Sequence, residues 1–211
     1  MLLIISMIPS DPAWLLDVNS LVLFMESTIV FIDGAYLAKV SKHFGNGKYL
    51  KIDYNQFAMT LAKDSNFQCS KVFFYDAPPY QDPNPTPDQN RRKAGYDKLI
   101  NKLRKAPNFI VREGRCQKID NKYKQKGVDT LITMDLMEVP NDIKTIILFT
   151  SDTDFVPVIK EIRNRKKINV ILYYYSDRKR NSNFSMSNHI INVCDISKLI
   201  TKDFFDRSLL K

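Results

Sequence analysis

Cysteine and histidine are scarce in this 211-residue chain. Cys69, Cys116 and Cys194 are odd in number, widely spaced and part of no CxxC or Cys/His cluster. Neither a zinc site nor a disulfide framework is therefore expected, which fits a reducing cytoplasm. His43 and His189 lie far apart and outside any motif, so a paired-histidine ribonuclease mechanism is disfavoured. The glycine-rich phosphate loops GxxxxGKS/T and GxGxxG are missing, which argues against a nucleoside triphosphatase or a dinucleotide enzyme. There is no internal repeat, and no low-complexity block beyond one proline-rich stretch. The apolar start, Met1 to Ile8, lacks a basic flank and a small-residue cleavage site. Pro9, Asp11, Pro12 and Asp17 interrupt it well short of the ~20 residues a spanning helix needs. Neither a leader nor a membrane anchor is expected. Residues 1–24 are read as a peripheral extension or a gene-start artefact, and residues 25–211 as one domain opening at Met25-Glu26-Ser27-Thr28.

What the chain has in excess is positive charge, a net +9. That balance points to a polyanionic partner, nucleic acid first and an acidic membrane surface second, with a generally basic proteome or a solubility charge as the plainer explanation. The excess is local: from Arg91 to Lys126 thirteen basic residues face three acidic ones. Arg91, Arg92, Lys93, Arg115, Lys122, Lys124 and Lys126 are candidates to track phosphates, as are Arg178, Lys179 and Arg180 in a second cluster. A solvated helix face is the alternative for the first group. Tyr80 and Tyr123 are candidates to stack bases, whereas Tyr96 fits a core position better.

The most informative stretch is Thr145-Ile146-Ile147-Leu148-Phe149, which runs into Thr150-Ser151-Asp152-Thr153-Asp154-Phe155. An apolar run of this kind reads as a buried strand of a parallel sheet, and ligands of open α/β sheets sit at the carboxyl ends of such strands. Thr28–Ile32 ends likewise in Asp33-Gly34. Further strands are expected at Lys71–Asp76, Asn108–Arg112, Asn169–Tyr175 and Ile190–Cys194. Helices are expected at Ala35–His43, after Asp53, at Gln89–Lys105 behind an Asp88 cap, at Lys126–Val139, at Phe155–Arg165 and from about Ser197 to Leu209. Five prolines between Pro78 and Pro87 exclude a regular element there. Glu113–Gln125 reads as an irregular polar connection. The alternation implies an α/β, Rossmann-like three-layer sandwich with a mostly parallel central sheet of about five or six strands.

Two strands thus deliver carboxylates to one edge. Like charges about 4 Å apart repel by roughly 4 kcal/mol at an effective dielectric of about 20, so such a cluster calls for a cation or shared protons. Oxygen-only donors suit Mg²⁺ or Mn²⁺. A third acidic source is Lys126-Gly127-Val128-Asp129, with Asp135 further along. Together with Phe31-Ile32-Asp33-Gly34, Tyr75-Asp76-Ala77-Pro78-Pro79 and Ser151-Asp152-Thr153-Asp154-Phe155, this order resembles the NYN domains of the LabA-like group, a branch of the PIN-like metal-dependent nucleases. The resemblance covers about residues 28–200. It implies phosphodiester hydrolysis, usually of RNA, with Asp33, Asp129, Asp152 and Asp154 as catalytic, metal-binding carboxylates.

Each residue also has a plainer reading. Asp33 is a turn residue before Gly34, Asp152 or Asp154 caps the helix that follows, and Asp129 complements a helix dipole. Asp135 lies six positions beyond Asp129, about 240° round a helix, and is placed with Asp76, Ser151 and Thr153 behind the acidic centre. Two other functions stay open: a nucleic-acid-binding regulatory module with this fold, and a phosphatase of the haloacid-dehalogenase type. The DxDxT motif of the latter is incomplete at Asp33-Gly34-Ala35-Tyr36. RNA is the expected partner, and a homo-oligomer is left open.

Overall fold

The computed structural model describes residues 25–120, 122–177 and 182–210. Six parallel strands form the central sheet: β1 (Ser27–Asp33), β2 (Gln68–Asp76), β3 (Phe109–Glu113), β6 (Thr145–Phe149), β7 (Asn169–Tyr174) and β8 (Ile196–Leu199), in the order β3-β2-β1-β6-β7-β8. Strand pleating sends alternate side chains to opposite faces. Val30, Ile32, Ile147, Phe149, Ile171 and Tyr173 enter one core, and Ile29, Phe31, Ile146, Leu148, Val170 and Leu172 the other. Both faces are covered, which is why the central strands read as continuous apolar runs rather than alternating ones.

The first core is closed by α1 (Gly34–Phe44), α2 (Tyr54–Asp64), α3 (Pro87–Arg104) and α7 (Lys202–Asp206). The second is closed by α4 (Val128–Met137), α5 (Val156–Glu161) and α6 (Asn188–Val193). The result is the three-layer α/β sandwich expected from the sequence, with six strands. Among the described residues no helix is long and apolar enough to cross a membrane. The expected extension, residues 1–24, lies outside the described residues.

Local chemistry sets the helix starts. Asp33 and Asp53 cap α1 and α2 by accepting from the backbone N–H groups of Tyr36 and Gln56, each at 3.0 Å. For α3 the cap is Thr86 rather than the expected Asp88. Thr86 forms a reciprocal capping box with Gln89, and Pro87 fills the first turn, where its missing N–H costs nothing.

Three further expectations are corrected. Residues 190–194 do not form a strand: Ser187 caps α6, and Ile190 and Val193, three apart, bury one helical face. The last strand is instead β8, and the terminal helix shrinks to α7. A short apolar run suits a helix or a strand equally, and here Asp195 decides. Its carboxylate accepts from Val170 N–H at 2.8 Å and pairs with Arg163, which pins the chain at the sheet edge just before β8. Finally, the connection after β3 is regular. β4 (Arg115–Ile119) and β5 (Lys122–Lys126) pair as an antiparallel hairpin outside the main sheet. With no apolar residue in β5 but Tyr123, and every β5 residue exposed, the ribbon carries no period-two hydrophobic signal.

Gly34 has no room for a side chain. A Cβ there would lie 2.6 Å from the Tyr75 carbonyl oxygen and 2.7 Å from Phe74 Cζ. Gly34→Ala is therefore expected to push α1 off β2 at a cost of about 1–3 kcal/mol. A thermal melt should show a midpoint lower by about 2–4 °C for each kcal/mol, and an unchanged midpoint would mean that the contact relaxes freely.

Candidate active site

The strand order reverses between β1 and β6, whose neighbours run outward in opposite directions. Such a switch point opens a crevice at the carboxyl ends of the strands. Ile32 pairs with Phe149, so the two chains leave the sheet side by side, one as Asp33 and the other as Thr150-Ser151-Asp152. Thr150 is fully buried and ties them together. Its hydroxyl donates to Asp33 Oδ2 at 3.2 Å and accepts from Asp152 N–H at 3.2 Å. No role was assigned to Thr150 from the sequence. The available signal was its position one step beyond paired strand residues, opposite an aspartate.

Asp33 caps α1 with one carboxylate oxygen and receives Thr150 with the other. Its surroundings push its pKa up from the usual carboxylate range to about 6. Loss of hydration is the main cause, opposed by those two hydrogen bonds, and the charges of Asp129 and Asp152 raise it further. Asp129, exposed in the first turn of α4, is also shifted upward, first by desolvation and then by Asp152 and Asp154. The four aspartates therefore share one electrostatic field. Among the described residues no lysine or arginine forms an ion pair with any of them.

Capping and clustering coexist at Asp152, whose Oδ1 accepts from Asp154 N–H at 2.9 Å and starts the 3-10 turn Thr153–Phe155 that leads into α5. Thr153 and Asp154 are exposed on that turn. The side chains as they lie do not close into a cage: among the described residues no three carboxylate, imidazole or thiol groups meet tightly enough to hold an ion unaided. Ser151 lies next to Tyr36, whose buried hydroxyl donates to Tyr175 O at 3.2 Å and accepts from Tyr175 N–H at 2.7 Å. Tyr36 thereby fastens α1 beside the end of β7.

Asp135 and Asp76 are engaged elsewhere. Asp135 is buried against Tyr75 OH at 2.9 Å and takes a two-pronged contact from Arg112, at 3.0 and 2.8 Å. It bolts α4 to β2 and β3, and so holds the helix that presents Asp129. Asp76 Oδ1 accepts from Ala77 N–H at 2.7 Å and from Gln125 Nε2 at 2.9 Å, which moors the β4–β5 hairpin to the carboxyl end of β2.

The candidate phosphate-tracking residues divide in two. Arg91 and Arg92 both pair with Asp88, and Lys93 pairs with Asp97, along the exposed side of α3. Arg115, Lys122, Lys124 and Lys126 lie on the hairpin and have no ion pair among the described residues. Arg178, Lys179 and Arg180 fall outside the described residues.

The raised pKa of Asp33 has a consequence for stability. The folded state holds its proton up to about pH 6, whereas the unfolded chain releases it near the ordinary value of 3.8. Asp33's contribution to stability is full below about pH 4 and is lost as pH rises through 6. In the metal-free protein Asp33→Asn, which keeps a capping oxygen, should remove this loss. The variant is expected to be the more stable protein at pH 7, by up to about 3 kcal/mol, with the gap closing toward pH 4. Chemical denaturation at the two pH values in EDTA checks this, and a gap independent of pH would refute it.

Comparison with known proteins gives the family and supports the fold. The model of the NYN domain matches residues 27–200. A crystal structure of a protein of unknown function from Vibrio parahaemolyticus superposes with a TM-score of 0.59 at 20% identity, covering 88% of this chain and 97% of that one, a likeness that establishes the fold. No curated protein matches the sequence. The PIN-like nucleases, to which NYN domains are assigned, generally use divalent metals. With a match running from the first strand to the last, the chain belongs to the NYN-domain family of the PIN-like nuclease superfamily.

Proposed function

We propose that this protein is a metal-dependent nuclease that hydrolyses phosphodiester bonds, with RNA as its substrate. The observation that carries the reading is that four aspartates share one field at the switch point of the sheet, where burial first, and then the charges of Asp129 and Asp152, raise the pKa of Asp33, and no lysine or arginine pairs with any of the four among the described residues. A fold retains such repulsion when a bound cation offsets it.

The donor chemistry suits a hard divalent ion, around which the side chains would have to close. Asp33, Asp129, Asp152 and Asp154 offer carboxylate oxygens alone, the donor set of Mg²⁺ or Mn²⁺. Once bound, the ion would supply positive charge for the attacked phosphoryl group and acidify water at neutral pH. The chain's own part is positional. Thr150 fixes the carboxylate of Asp33 and the backbone of Asp152 from one buried hydroxyl. The Asp135–Arg112–Tyr75 contact fixes α4 and hence the approach of Asp129. The unpaired cations of the hairpin would draw in the substrate backbone, giving salt-dependent binding with little sequence preference.

Labelled single-stranded RNA and matched DNA, incubated with Mn²⁺, Mg²⁺ or EDTA, should be cut only with metal, and RNA preferentially. Asp152→Asn should lower the rate by more than about a hundredfold, beyond the scale on which indirect partners of a metal site act. Mn²⁺ should also raise the melting temperature of the unaltered protein and not of Asp33→Asn/Asp152→Asn. Full turnover in Asp152→Asn would refute the assignment. Tight RNA binding without cleavage in any metal would favour the regulatory-module reading.

A further inference from the structure

The hairpin has an aromatic side that the acidic centre does not use. Strand register puts Cys116 opposite Gln125, and Lys118 opposite Tyr123, on one face of the ribbon, while Arg115, Gln117, Lys124 and Lys126 share the other. Gln125 turns the first face toward Asp76 and the proline-rich loop. There Tyr123 meets Tyr80, with ring centroids 5.4 Å apart and planes tilted by 35°. Together with Pro79, Arg92 and Cys116 the rings line a recess of about 130 Å³.

Two features mark this as more than packing. Tyr123 is 53% exposed, so an aromatic side chain that rests against Tyr80 still offers about half its surface to solvent. The two strands of the ribbon also carry basic residues on both faces and no carboxylate. Arg115 stands directly opposite Lys126, an arrangement that costs the ribbon stability, with no carboxylate in an ion pair with either among the described residues. Lys118 flanks Tyr123 across the strands. Arg92, which lines the recess, is held only by a half-exposed pair with Asp88 at 2.9 Å, weak enough to yield to a phosphate.

We infer that Tyr123, backed by Tyr80, is a base-stacking site for an unpaired nucleotide, and that the substrate is therefore single-stranded. The inference rests on the nucleic-acid reading above and adds a second contact point to it. A base in a duplex has both faces occupied by its neighbours, whereas a single strand offers an open face to an aromatic platform regardless of sequence. The chain path joins this site to the acidic centre: β5 ends at Lys126, Gly127 turns with φ +83°, and Asp129 follows in the first turn of α4. The hairpin is moored to Asp76 at the same sheet edge that bears Asp33, so the two sites share that edge.

The test is fluorescence anisotropy in EDTA with three labelled probes: an oligouridylate, the same oligonucleotide with abasic sites, and an RNA duplex. Tyr123→Ala should weaken oligouridylate binding about tenfold and leave the abasic and duplex probes unchanged. Tyr123→Phe should bind like the unaltered protein, and Tyr80→Ala should show a smaller loss of the same selectivity. An equal loss for all three probes, no loss at all, or no binding of oligouridylate by the unaltered protein would overturn the inference. Cleavage is scored separately with Mn²⁺. Base-dependent binding without cleavage would sink the nuclease and keep the stacking site, and cleavage without base dependence would do the reverse.

Discussion

The parallel pairing of β1 with β6 is the constraint on which the rest depends. Because Ile32 lies level with Phe149, both strands reach the sheet edge at the same height and release an aspartate-bearing segment there. Any slip by one residue would exchange the faces of the whole strand, sending Val30 and Ile32 into the wrong core. Register and acidic centre are therefore fixed by one set of apolar contacts. Thr150, fully buried at the junction, converts that register into a hydrogen-bonded link between Asp33 and Asp152.

The repulsion that follows is absorbed by several devices around it. Two of the four carboxylates at the edge also do local work: Asp33 caps α1 and Asp152 caps the turn before α5. Capping secures the carboxylates through backbone N–H groups, which favour the charged form, while burial works against it. For Asp33 burial wins. The buried Asp135 is met instead by Arg112 and Tyr75, which both donate to it, and it steadies α4. Acidic residues with similar sequence contexts thus take separate roles according to what surrounds them.

The hairpin gives the same edge a second character. It adds nothing to either core, yet it is tied to β2 through Gln125 and Asp76 and to the loop through Tyr80 and Tyr123. Gly114 lets it leave β3 closely, since a Cβ there would lie 2.6 Å from the Lys126 carbonyl oxygen. The hairpin cations lack acidic partners and the four aspartates lack basic ones among the described residues, a separation of charge on which the proposed function draws.

Much of this was legible in the residue order. The apolar runs at 28–32 and 145–149 identified the central strands because strands buried on both faces have no polar alternation to disguise them. The aspartates at their ends followed from the switch-point rule. Residues 113–125 read as irregular because a ribbon with one wholly exposed strand carries no hydrophobic period, and residues 190–194 read as a strand because a short apolar run fits a strand as well as the helix they form. Composition and pattern determined the sandwich, its two buried faces, its basic excess and the acidic edge, since these depend on burial and on distances along the chain. Only the tertiary structure decided that Thr150 joins Asp33 to Asp152, that Asp135 turns to Arg112, and that Tyr123 rests on Tyr80. Those contacts link residues remote in sequence, and their geometry exists only once the strands have paired.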